Sequence, residues 1–179
     1  METIDLLYRK STFHIHGGDQ LCRLPRLMLP QRLNAIVSLE FVWYRLHLPL
    51  SVMTAEDWNA ISEAVQSIPK SFPCLQTLFL SFRAISYSSH YSLEGHKAYE
   101  KGFYGPLDSM VRACSKTLKH CTIAICARLQ NHMMAQAVKN GAVKDVVNVD
   151  PRVQYSRFWR RVEQVDWTHT PLGYWIREG

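Results

Sequence analysis

Few side chains in this sequence have the types and spacing that catalysis or metal binding requires. His14 and His16 are separated by one residue, which would place two imidazoles on one face of a strand, where both could bind a metal ion. Such a site needs two more ligands, and no other residue has a spacing that would supply them. We therefore expect these to be surface or edge histidines, and we expect neither a metal nor a cofactor.

Two acidic pairs could serve as a general acid and a general base, namely Glu56 with Asp57 and Asp145 with Asp150. Glu56 and Asp57 are better explained at the start of a helix, where carboxylates oppose the helix dipole. The sequence has no Gly-x-Ser-x-Gly, no phosphate-binding glycine-rich loop and no His-Glu-x-x-His. We therefore predict that the protein is not an enzyme.

The segment 157–161 mixes cationic with aromatic side chains, as surfaces that bind single-stranded nucleic acid do. A simpler interpretation is that its aromatic side chains pack on the domain while its arginines stay solvated. The 21 Lys and Arg exceed the 15 Asp and Glu and give a net charge of +6, but the positive charges are scattered along the chain. Nucleic-acid association is therefore the alternative hypothesis, and a protein partner is preferred.

A repeated apolar spacing predicts the strands that position these residues. Segments 36–43, 75–82 and 118–125 carry apolar residues at relative positions 1, 4, 6 and 8, and segment 8–15 is a weaker copy. The last three positions alternate, which places them on one face of a strand. The residues predicted to be buried against helices are Leu39, Phe41, Leu78, Leu80, Ile123 and Ile125.

Helical patterns lie between the copies. Thr54 and Asp57 form a capping-box variant before an apolar stripe at helical period, and Pro69 is predicted to end that helix. Gly105 and Pro106 predict the start of a second helix. Further predictions are a helix at about 130–140, a strand around 146–149, and only short helical turns at 19–35, where Pro25 and Pro30 interrupt the pattern.

Strands that alternate with helices predict parallel pairing. With the repeated spacing, this indicates an α/β fold: a short, irregular leucine-rich-repeat-like solenoid with a parallel sheet of about four strands and helices packed on it. The alternative is an open parallel sheet with helices on both faces. We expect a repeat-like domain at 1–141, with a mobile insertion at about 83–104, and an aromatic-rich segment at 142–179 that packs on the same domain.

The cysteines and the hydropathy pattern indicate a cellular compartment. The five cysteines are odd in number and none are spaced Cys-x-x-Cys, which favours a reducing environment. The sequence begins without the pattern of a secretory signal, and no apolar stretch reaches the ~18 residues that span a bilayer. We therefore expect an intracellular protein of the cytoplasm or nucleus that does not associate with membranes.

Six segments of the sequence carry a family resemblance: 4–8 (Ile-Asp-Leu-Leu-Tyr), 11–13, 24–33 (Leu-Pro-Arg-Leu-Met-Leu-Pro-Gln-Arg-Leu), 36–43, 157–160 (Arg-Phe-Trp-Arg) and 173–176 (Gly-Tyr-Trp-Ile). They resemble a family of ascomycete proteins that carry a domain of unknown function. Members of this family often have an F-box-like segment upstream, and this sequence shows none, so we expect a relative without the F-box or a shortened gene model. The resemblance assigns no activity and carries over no catalytic residues, but it implies a leucine-rich-repeat-like scaffold beside an adaptor motif. We therefore expect a non-catalytic protein–protein interaction module, the substrate-recognition part of an F-box-like adaptor, with a ubiquitin-ligase scaffold as a partner of longer relatives.

Residues between the core positions are predicted to form the binding surface, because they project from the opposite face of the strands. Phe79 is the large apolar residue of this set, and a central aromatic among uncharged neighbours is typical of a binding hot spot. In the alternative that we favour, Trp167, Tyr174 and Trp175 fold back and cover this face. The candidate partner-binding residues are Thr12, His14, Ser38, Glu40, Thr77, Phe79, Ser81 and Thr122.

Overall fold

A computed structural model describes residues 2–43, 54–82, 100–127, 130–131, 157–162 and 172–179. The helices of this part are α1 (Glu2–Lys10), α2 (Gly18–Leu27), α3 (Pro30–Ala35), α4 (Ala55–Ser71), a π-helix (Glu100–Tyr104) and α5 (Gly105–Ala113). Its strands are β1 (Thr12–His16), β2 (Ser38–Val42), β3 (Thr77–Phe82), β4 (His120–Ile125), β5 (Arg157–Arg161) and β6 (Gly173–Glu178).

The strands form one sheet in the order β1-β2-β3-β4-β6-β5. All neighbouring strands are parallel except β5, which runs antiparallel to β6. Leu39 lies opposite Leu78, which lies opposite Cys121, so the three clear repeat copies pair in the predicted register. The protein is thus a mixed α/β fold with a mostly parallel six-stranded sheet.

The first copy is displaced by two residues from its predicted register. Phe13 lies opposite Leu39, whereas the repeat aligned Phe13 with Phe41. The reason is that Tyr8, taken as the first position of this copy, belongs to helix α1. Tyr8 is partly buried because it packs as part of a helix, so it does not mark the entry to a strand.

Helices α4 and α5 bury their apolar stripes against one face of the sheet. Ile61, Val65 and Ile68 of α4 belong to the same buried cluster as the inward-facing strand residues, and so do Leu107 and Met110 of α5. The six predicted core residues are confirmed, since each is at most 1% exposed: Leu39, Phe41, Leu78, Leu80, Ile123 and Ile125.

Helix α4 begins at the predicted capping box. The Asp57 N–H donates to Thr54 Oγ1 over 3.3 Å, and the Thr54 N–H donates to Asp57 Oδ2 over 2.8 Å. The predicted end at Pro69 is wrong by two residues, because the helix continues to Ser71. A proline so close to the end removes a single backbone hydrogen bond, and the buried Ile68 and Phe72 hold the last turn on the core.

The prediction of short helical turns at 19–35 is also wrong for its first half. Helix α2 has 10 residues and contains Pro25 near its C-terminal end, where the missing N–H affects only the last turn. Leu21, which is fully buried, anchors the helix to the core. Pro30 occupies the first position of α3, a place that suits its fixed backbone angle.

The predicted mobile insertion at 83–104 has a structured end. Glu100–Tyr104 forms a π-helix that leads directly into α5, and Phe103 and Tyr104 are 1% and 3% exposed. Residues 83–99 lie outside the described residues, as do the predicted strand at 146–149, Asp145 and Asp150. Of the helix predicted at 130–140, only Gln130 and Asn131 are described, and both are helical.

Within the part of the chain that the structure describes, no helix has the length and apolar character needed to cross a membrane.

Candidate functional site

The strand residues that alternate with the core positions form a second surface of the sheet, here called the outer face. Strand register aligns His14, Glu40, Phe79, Thr122 and Trp175 in one row across five strands. A flanking row holds Thr12, Ser38 and Thr77. The eight candidate residues from the sequence therefore share this face, at the strand positions where alternation predicts them.

Exposure differs among these candidates. Thr12, His14 and Thr77 are exposed, while Phe79 and Thr122 are half-buried, as are Ser38 and Glu40. Ser81 is 2% exposed and cannot contact a partner directly. A partner bound here would therefore meet the row around Phe79 and the exposed residues beside it.

In the β1–β2 part of the outer face, polar side chains of the two strands pair with each other. Thr12 Oγ1 and Ser38 Oγ are hydrogen-bonded at 3.0 Å, and His14 Nδ1 lies 3.3 Å from Glu40 Oε2. His14 thus faces a carboxylate and is an ion-pair partner when protonated. Among the described residues, no three His, Cys, Asp or Glu side chains are grouped so that they could hold a metal ion.

The β4–β6–β5 part of the outer face carries arginines stacked on aromatic rings. The Arg157 guanidinium lies 4.5 Å from the ring centroid of Trp175, and the Arg177 guanidinium lies 4.8 Å from that of Phe79. The rings of Trp159 and Trp175 meet edge to face at 5.1 Å. We call Arg157, Trp159, Trp175 and Arg177 the arginine–tryptophan patch.

The position of this patch on the sheet was not predicted from the sequence. The available signal was the alternation of Arg157, Trp159 and Arg161 with Phe158, which has the two-residue period of a strand. Gly173 is needed where these strands pair, because a Cβ there would collide with the backbone carbonyl oxygen of Arg160 and lie 2.8 Å from the Trp159 ring. The absence of a side chain at this position lets the Trp159 ring lie against the backbone of β6.

The opposite surface of the β5–β6 hairpin joins the core through a hydrogen-bonded network. Arg160 donates from Nε and one terminal nitrogen to the two oxygens of Asp108, at 3.1 and 2.9 Å, and the Tyr174 hydroxyl donates to Asp108 Oδ1 at 2.9 Å. The Arg160 guanidinium also lies 3.9 Å from the Tyr104 ring centroid. The expectation that the arginines of 157–161 stay solvated is therefore wrong for Arg160, which anchors the hairpin to α5.

This network perturbs one titrating group. Burial raises the pKa of Tyr174 well above its usual value, and the negative charge of Asp108 and its hydrogen bond act in the same direction. The positive charge of Arg160 opposes the shift without reversing it. Tyr174 consequently stays neutral and acts as a hydrogen-bond donor within the core.

The prediction that C-terminal aromatics fold over the outer face is wrong for two of the three residues. Tyr174 is fully buried on the helix side of the sheet, next to Asp108. Trp175 is a strand residue opposite Thr122, so it extends the outer face sideways. Trp167 lies outside the described residues.

The fold and this surface define the class: a mixed α/β protein whose described helices pack on one side of a mostly parallel sheet, with a polar and aromatic outer face on the other. Residues 1–81 match the family model described as Domain of unknown function (DUF7730), which confirms the expected similarity to a domain of unknown function. No curated protein and no solved structure matches the chain. The matched region runs from α1 into β3, so β4, β5 and β6 lie beyond it.

Proposed function

We propose that this protein is a non-catalytic interaction module that binds a protein partner through the outer face of its sheet. The observation that carries this proposal is the position of Phe79, a half-buried aromatic residue in the middle of the aligned row. Thr77 and Ser81 precede and follow it on the same face, and Thr122 lies beside it on β4. Glu40 lies opposite it on β2, and the Arg177 guanidinium lies over its ring. A central aromatic residue combined with an arginine is typical of interface hot spots.

The order of the strands supports a more specific form of this proposal. β1 to β4 are neighbours in sequence order and parallel, which is how repeat solenoids present a continuous strand surface to a partner. We propose an irregular leucine-rich-repeat-like unit that acts inside the cell. From the family resemblance, it would be the substrate-recognition part of an F-box-like adaptor, with a ubiquitin-ligase scaffold as a partner of longer relatives.

The alternative function is nucleic-acid association, and the arginine–tryptophan patch is the observation that favours it. Cationic and aromatic side chains together bind phosphates and stack on bases. Arg157 and Trp175 lie close enough for such a combined contact. The experiment on the outer face must therefore distinguish binding of a protein partner from binding of nucleic acid.

The test compares proteins captured from native cells by the wild-type chain, by Phe79→Asp and by Gln66→Asp. Gln66 is exposed on α4, so its substitution adds the same charge on the helix side of the molecule. At position 79 the new carboxylate would lie near Arg177, which limits the cost of burying it. We expect Phe79→Asp to lose the captured partner with little change in melting temperature, and Gln66→Asp to retain it.

Two results would contradict the proposal. Retention of the same proteins by both variants would show that the outer face is not the binding surface. If nuclease treatment releases the captured proteins and the same incubation without nuclease does not, the result would favour the nucleic-acid alternative.

A further inference from the structure

We propose that the arginine–tryptophan patch is the specificity-determining part of the outer face, and that its occupant is an acidic segment of the protein partner. Carboxylates of that segment would pair with Arg157 and Arg177. This inference rests on the proposed function, because it names the chemistry of the partner at the same surface.

Charge is distributed unevenly over the outer face. The outward-facing strand residues of β4, β5 and β6 include three arginines, Arg157, Arg161 and Arg177, and no acidic residue. On β1, β2 and β3 the acidic residue in outward positions is Glu40, which already faces His14. The β4–β6–β5 part of the surface is therefore complementary to a negatively charged partner.

Two arginines of the patch lie directly opposite each other. Arg157 of β5 pairs in register with Arg177 of β6, and like charges in such positions destabilise a sheet. Their side chains diverge, since Arg157 stacks on Trp175 and Arg177 reaches Phe79 two strands away. Ala124, the residue opposite Arg177 on β4, is small and leaves space for this crossing. A bound carboxylate would compensate the charge repulsion that remains between Arg157 and Arg177.

Both guanidinium groups are positioned by aromatic rings while no carboxylate of the described residues forms a salt bridge with either. Stacking holds the flat face of each group and leaves N–H donors for an acceptor. Arg157 Nε and Trp159 Nε1 are buried without a hydrogen-bond acceptor among the described residues, so a bound carboxylate would meet the terminal nitrogens of the guanidinium groups. A pre-positioned arginine fork matches the geometry of a carboxylate and loses less entropy on binding.

The stacking also argues for an acidic peptide over single-stranded nucleic acid. Base binding requires exposed ring faces, and arginines already cover Trp175 and Phe79. Trp159 meets Trp175 edge to face, which takes up further aromatic surface. The groups left to contact a ligand are guanidinium donors, which bind carboxylates without displacing the stacks.

The test measures binding of a dye-labelled peptide of alternating Glu and Val to the full chain by fluorescence anisotropy. The variant Arg157→Gln/Arg177→Gln keeps side chains that can lie on the rings and removes both charges. The matched control is Arg23→Gln/Arg26→Gln on α2, where two exposed arginines give the same change in net charge. We expect the patch variant to weaken binding about tenfold or more and the control to bind as wild type does.

The probes also include a Gln–Val peptide and an oligodeoxythymidine of similar length. Absence of Glu–Val binding, or equal losses in both double variants, would overturn the inference. Tighter binding of the oligonucleotide, lost with the same two arginines, would assign the patch to nucleic acid.

Failure of this inference is distinguishable from failure of the proposed function. If Arg157→Gln/Arg177→Gln still captures the cellular partner that Phe79→Asp loses, the outer face binds protein but the patch does not select acidic segments.

Discussion

Asp108 is the residue through which the C-terminal hairpin is held to the helices. It accepts hydrogen bonds from Arg160 and from Tyr174, so its partly buried charge is compensated by a cation and a neutral donor. The hydrogen bond from Arg160 is bidentate, which is the stronger form of an arginine–carboxylate pair. One carboxylate thus connects α5 to two strands.

We predict that Tyr174→Phe lowers the free energy of unfolding by about 1 kcal/mol at neutral pH, because a hydrogen bond to a charged acceptor is lost while Arg160 still pairs Asp108. The wild-type chain should also lose stability as pH rises above about 10, where the unfolded tyrosine gives up its proton and the buried Tyr174 keeps it. Tyr174→Phe should remove that part of the alkaline loss. Urea unfolding of both proteins at neutral and alkaline pH measures both effects.

Tyr8→Phe is the control for this experiment, since Tyr8 lies outside the Asp108 network and packs against Phe13. An alkaline loss of stability that is equally steep in Tyr174→Phe and in wild type would contradict the assignment of this titration to Tyr174.

At the scale of elements, β3 tests the division of the sheet into two faces. Leu78 is 1% exposed and packs on the helix side, whereas the neighbouring Thr77 is exposed on the outer face. We expect Leu78→Ala to lower the free energy of unfolding by about 2–5 kcal/mol, because it leaves a cavity in a closely packed core. Thr77→Ala should change it by at most about 0.5 kcal/mol. Chemical denaturation of both variants measures these changes. Similar denaturation midpoints for the two variants would show that the assignment of the faces is wrong.

Alternation of apolar residues predicts β2, β3 and β4, including their mutual register, because one buried face fixes which residues must align. The capping box predicts the start of α4 for the same kind of local reason. The limits of prediction appear at the N-terminus. The apolar spacing of the α1 residues fits both a helix and the entry to a strand. Their packing against α3 distinguishes the helix from the strand entry.

The candidate site was predictable in part. The polar residues of β1 to β3 follow from alternation, so Phe79 and its neighbours could be placed on one face from the sequence. The arginine–tryptophan patch could not, because it depends on β6 pairing with both β4 and β5, a long-range arrangement that no local pattern specifies. The inward position of Arg160 likewise depends on Asp108, a residue 52 positions earlier in the chain.

At the scale of the whole molecule, β5 and β6 complete the sheet and its core. Removing residues 155–179 would leave β4 as an unpaired edge and Asp108 without its two partners. We predict that this truncation abolishes cooperative thermal unfolding, as followed by near-ultraviolet circular dichroism. Removing residues 1–10 should have a smaller effect, because Leu6 and Leu7 of α1 are 54% and 63% exposed. Cooperative melting of the C-terminal truncation at the wild-type temperature would contradict this prediction.

The position of β6 between β4 and β5 has a consequence for the nascent polypeptide. β1 to β4 can pair one after another as they leave the ribosome, since each neighbour has already been synthesised. β5 is the next of the described strands to be made, and it has no adjacent strand among them until β6 follows it. During that interval the edge of β4 is available to other chains, and unpaired edges promote aggregation. Insertion of β6 between β4 and β5 is therefore the step that protects the nascent chain from aggregation through the edge of β4.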